Sequence, residues 1–156
     1  MKYLFLCLAF IGLLTVACEE KAAEEDKTQV EDTADFKLSS QAEDLYQIVG
    51  EKHDTAMLLM KNIEQAKSAL RLKMEGLETG AEKDAILDLL MALKKADDGM
   101  MNWMREFKST ELNDEEYKAM SEQEIMAYLK KEEQKIEQVH IDMLTSIENG
   151  KKFLEK

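Results

Sequence analysis

Apolar residues recur along most of this chain at spacings of three, four and seven, which marks one buried face on an α-helix. The first stripe is Leu45, Val49, Ala56, Met60, Ile63, Leu70 and Leu77. Ahead of it, Ser40-x-x-Glu43 has capping-box spacing and predicts a helix start. The pattern predicts one continuous helix of about 35 residues, ending around Gly76 to Gly80. Gly50 lies inside it, at a cost of about 1 kcal/mol relative to alanine. A second stripe, Ile86, Leu90, Leu93, Asp97, Met100, Met104 and Phe107, is widened by Leu89, Ala96 and Trp103. It predicts a bundle helix from about Glu82 to Phe107. The stretch from Ser109 to about Met120 is polar, and Asn113-Asp114-Glu115-Glu116 suits the opening of a short helix. A third long helix is predicted from Ser121, where Ser121-x-x-Glu124 repeats the capping-box spacing. Its stripe is Ile125, Leu129, Glu132, Ile136, Val139, Met143, Ile147 and Leu154. No segment alternates as a strand would. The expected fold class is therefore all-α: an antiparallel up-down-up three-helix bundle over residues 39–156, with helices up to roughly 50 Å long. The alternative is an extended coiled-coil oligomer. The broad stripes and two connections favour the intramolecular bundle.

The chain before residue 39 reads differently. Lys2 precedes an uncharged run from Leu4 to Val16, which matches a secretory signal and is too short to span a bilayer comfortably. Leu14-Thr15-Val16-Ala17-Cys18 follows. It resembles the lipobox of bacterial lipoproteins, departing from it at Thr15, where that family favours Leu. The resemblance implies a signal peptide over residues 1–17 and acylation of Cys18, and hence a membrane anchor. With Cys7 removed and Cys18 acylated, no cysteine remains for a disulfide or a thiolate site. The acids Glu19, Glu20, Glu24, Glu25 and Asp26 partly resemble the surface-export tag of Bacteroidota lipoproteins. The expected location is the bacterial outer membrane, either surface-exposed or periplasm-facing. Residues 18–38 are too acidic and too poor in apolar side chains to form a core, so a flexible tether is expected there. Phe36 and Leu38 are placed to touch the domain.

Composition narrows the function. A net charge of −12 excludes a nucleic-acid partner, which needs a basic surface. The absence of proline agrees with long helices. There is no Gly-rich phosphate loop, no G-x-S-x-G and no H-E-x-x-H. Glu137-x-x-His140 matches half of a di-iron motif, but the other histidine, His53, has Gly50 three residues before it. The chain is expected to be no enzyme and to need no cofactor. A helical binding or structural module, with an envelope protein as its partner, is the leading expectation.

Methionine offers the sharper alternative. His53, Met57 and Met60 fall at i, i+4 and i+7, on one face of the first predicted helix. Antiparallel pairing sets Met60 near Met100 and Met57 near Met104, with Met126 at the same level. Thioethers and imidazole select Cu(I) over harder ions, so this set is a candidate copper site. The bland reading is core packing, since methionine fills irregular gaps readily. Asp97 is an acid on an apolar stripe and is expected to be a structural polar link. Its candidate partners are Lys67, Lys131 and Lys135, with Glu132 adding to the network.

Three segments carry a family resemblance. They are His53-Asp54-x-x-Met57; Ala96-Asp97-x-x-Met100-Met101-x-Trp103-Met104-x-x-Phe107; and Tyr128-Leu129, with the Lys/Glu-rich run to Met143 and then Phe153-Leu154. From His53 to Leu154 the chain resembles a family of small helical Bacteroidota lipoproteins, some labelled viral A-type inclusion protein. The resemblance implies a helical lipoprotein and no particular activity. The proline expected after the first segment in that family is missing, which would leave the first helix continuous.

Overall fold

The computed structural model describes residues 36–156. The expected signal peptide, Cys18 and almost all of the expected tether lie outside the described residues. Five helices follow in order: α1 (Ser40–Met57), α2 (Met60–Met74), α3 (Ala81–Glu106), α4 (Asp114–Ala119) and α5 (Glu122–Leu154). Every regular element among the described residues is helical, as the periodicity predicts.

The first predicted helix is not continuous. It is divided after Met57, although the chain has no proline there. Leu58 and Leu59 keep right-handed helical dihedrals, but the Leu59 N–H donates to Ala56 O at 2.9 Å, an i→i+3 bond. One tightened turn of this kind holds fewer residues than an α-helical turn. It takes up part of the drift between a 3.5-residue apolar repeat and a 3.6-residue helix. The buried stripe thus resumes seven residues after Ala56, at Ile63. Leu58, 77% exposed, is left facing solvent.

The helix ends follow local chemistry. The α1 cap is Ser39, one residue before the predicted box, and its hydroxyl accepts from the Ala42 N–H at 3.2 Å. The same hydroxyl donates to Glu122 in the first turn of α5. Gly76, at φ 83, supplies the left-handed residue that ends α2. At Ser121 both halves of the predicted capping box are formed with Glu124.

Two apolar clusters result. The larger joins Val49, Ile63, Leu70, Ile86, Leu93, Met100, Ile136 and Met143 from four helices. Each such side chain contributes about 1.5–3 kcal/mol on burial. The smaller gathers Ala42, Leu45, Tyr117, Ile125 and Leu129, with Phe36 and Leu38 packed against it. The folded domain therefore reaches back to Phe36, whose ring centroid lies 5.8 Å from that of Tyr117. Tyr117 donates to Lys108 O at 2.9 Å, and Tyr128 accepts from the Lys108 N–H at 2.7 Å. These bonds tie α4 and α5 to the segment that follows α3. Helix α5 packs against α1, α2 and α3, and α2 also packs against α3.

Candidate functional site

An aromatic cleft lies between the middle of α1 and the C-terminal end of α3. Tyr46, Gly50 and His53 line it from α1, at i, i+4 and i+7. Trp103, Met104 and Phe107 line it from α3. Its volume is about 340 Å³, at the lower end of small-molecule sites. The Trp103 and Phe107 rings stack at 4.8 Å, Tyr46 lies 5.8 Å from Phe107, and His53 lies 5.6 Å from Trp103. Aromatic contact continues from Phe107 to Tyr128 and Tyr117.

Polar contacts hold this wall in place. The Tyr46 hydroxyl accepts from the Thr110 N–H and donates to Glu111, both at 3.3 Å. Glu111 is held below the usual carboxylate range by its own backbone N–H and by bonds that include those from Ser109 and Tyr46. His53 Nδ1 lies 2.9 Å from Asp54. Gly50 lines the cleft without a side chain, and a Cβ built there would meet no atom within 4 Å, so close packing does not require a glycine.

Of the five residues expected to form a soft-metal cluster, His53 and Met104 reach this cleft. The other three do not line it. Met57 ends α1 and is 37% exposed. Met60 opens α2 and packs on the larger core, and Met100 is fully buried within that core. Met126 joins the smaller cluster with Tyr117 and Leu129. Among the described residues no three His, Cys, Asp or Glu side chains converge on a metal position.

Asp97 pairs with Lys67, one of its expected partners. It is partly exposed, and the buried charge is its partner Lys67, 6% exposed. Lys67 Nζ lies 2.6 Å from Asp97 and 2.7 Å from Glu64, linking α2 to α3. Lys135 instead pairs with Glu132 at 2.8 Å. Glu132 is 2% exposed and its Oε2 has no partner, nor has the Trp103 Nε1. Phe107 lies beside Tyr128, and Gly99 faces Val139 at 3.9 Å. These two contacts bracket Trp103 and Glu132 along the α3–α5 seam. The half di-iron motif has a simpler use, since Glu137 pairs with Lys52 at 2.5 Å.

Sequence reasoning missed Tyr46, Gly50, Trp103 and Phe107 as a group. The available signal was a glycine inside a helix with an aromatic four residues before it and a histidine three after. Comparison with family models, curated proteins and solved structures returns no match to this chain. No helix among the described residues is long and apolar enough to cross a membrane.

Proposed function

We propose that this chain is a lipid-anchored protein of the bacterial outer membrane, surface-exposed or periplasm-facing, whose helical domain is a non-enzymatic binding module. The lipobox-like Leu14–Cys18 segment supports the anchor. The observation that carries the binding role is the aromatic cleft, which Gly50 lines without a side chain. We read α1 with α2, α3 and α5 as the three rods of an up-down-up bundle, within the helical lipoprotein family that the sequence resembles. Ser39–Glu122, Lys52–Glu137 and Lys73–Phe153 support that reading, because their numbers rise together along the first and third rods. The anchor is tested by growth on an alkyne-tagged fatty acid. The wild-type chain is expected to become labelled and the Cys18→Ala variant to stay unlabelled. An unlabelled wild-type chain refutes the anchor.

A second reading rests on His53 and Met104 sharing the cleft, with Met57 one turn along α1. Imidazole and thioether together suit Cu(I). A Cu(I) competition titration, repeated on His53→Ala and Met104→Leu, tests it. Stoichiometric binding lost in both variants supports copper, and binding no better than background removes it.

A further inference from the structure

We propose that the aromatic cleft takes an organic cation with an apolar, methylated ammonium head. The inference rests on the binding role proposed above and names its ligand class. Three features carry it. Tyr46, Trp103 and Phe107 supply aromatic surface within one small volume, and ring faces attract cations while excluding water. No lysine or arginine lines the cleft, whereas Asp54 and Glu111 are each bonded to a lining residue, His53 and Tyr46. The chain as a whole is acidic, with a net charge of −12, which draws cations and repels anions. An anionic ligand would find no partner here. A small, strongly hydrated cation would lose its water without gaining enough oxygen ligands. A methylated ammonium avoids both penalties, because its charge is spread over an apolar surface that the rings can cover. Gly50 then has a role: it leaves room for the head group between α1 and the stacked Trp103–Phe107 pair.

Trp103 is the only tryptophan in the chain, so its emission reads this cleft alone. The full chain, purified from membranes in a maltoside detergent, is titrated with choline and with its uncharged carbon isostere, in which tert-butyl replaces trimethylammonium. Choline is expected to give a saturable change in Trp103 emission, with an affinity about tenfold above that of the isostere. Gly50→Leu, which fills the cleft from α1, is expected to abolish the response while the helical signal persists. Phe107→Leu keeps apolar volume but removes one ring, and is expected to weaken choline more than the isostere. Equal affinity for the two probes overturns the cation proposal while leaving the cleft as a binding site. No saturable response to either probe, or binding retained in Gly50→Leu, overturns the site itself. The lipid anchor is judged separately by the labelling experiment.

Discussion

Gly50 and Lys67 show how single residues divide between stability and use. A glycine in a helix interior gives up stability unless space demands it, and no atom lies within 4 Å of a Cβ at Gly50. Gly50→Ala is therefore expected to raise unfolding free energy by about 0.5–1 kcal/mol in urea denaturation. It should also narrow the cleft. Lys67 behaves in the opposite way. Burial pulls its amine pKa down, but the hydrogen bonds to Asp97 and Glu64 outweigh burial and leave it raised. Removing Asp97 leaves the buried ammonium with Glu64 as its remaining carboxylate partner. Asp97→Asn is thus expected to cost about 1–3 kcal/mol, whereas the Lys67→Met, Asp97→Leu double variant should lie within about 1 kcal/mol of wild type. A double variant as unstable as Asp97→Asn would refute that account. The pair itself was legible from spacing, since Lys67 stood among the candidate partners of Asp97. Which member is buried was not legible: a lysine stem packs along apolar surface and carries its head to a distant acid, and periodicity does not register that reach.

At the scale of elements, ends and connections decide more than stripes do. The capping box at Ser121 was readable because both of its bonds are local. The division after Met57 was not, because Leu58 and Leu59 are good helix formers and only the packing of a long seam asks for a tight turn. The link between α3 and α5 has a pH signature. Burial pushes the Tyr117 phenol far up and Tyr128 up to about 12. An unfolded tyrosine ionises at about pH 10. Folded phenols with raised pKa values stabilise fully below about pH 10, and that stabilisation is lost as pH rises from there towards the folded values. The raised Lys67 amine acts with the same sign, because its charged form is the one the fold holds. The urea midpoint is expected to stay level from about pH 8 to 9.5 and to fall steeply by about pH 11. Tyr117→Phe should lose about 1 kcal/mol at neutral pH with its bond to Lys108, and then fall less on the alkaline side. An identical alkaline slope in both proteins would exclude Tyr117 as a source.

For the molecule as a whole, helix content followed from periodicity, and so did the extents of α3 and α5 to within a residue or two. The cleft did not, because it forms where three separate lapses in packing coincide: a glycine on α1, a helix end at Phe107 and a histidine left half-buried. Each of these is unremarkable alone, and only the meeting of α1 with α3 joins them. The shared use of α5 by α1, α2 and α3 has a further meaning when the chain is followed in order of synthesis. Among the described helices, the one on which the others lean is made last. Until its 33 residues emerge, α1 has almost no partner and neither cluster can close. A chain ending at Met120 is expected to show weak, noncooperative thermal melting by circular dichroism, where the full chain melts in one transition. A cooperative transition in the truncated chain would show that the earlier helices hold together alone. The arrangement delays commitment: the earlier helices stay pliable as they emerge and become rigid together only when α5 joins them.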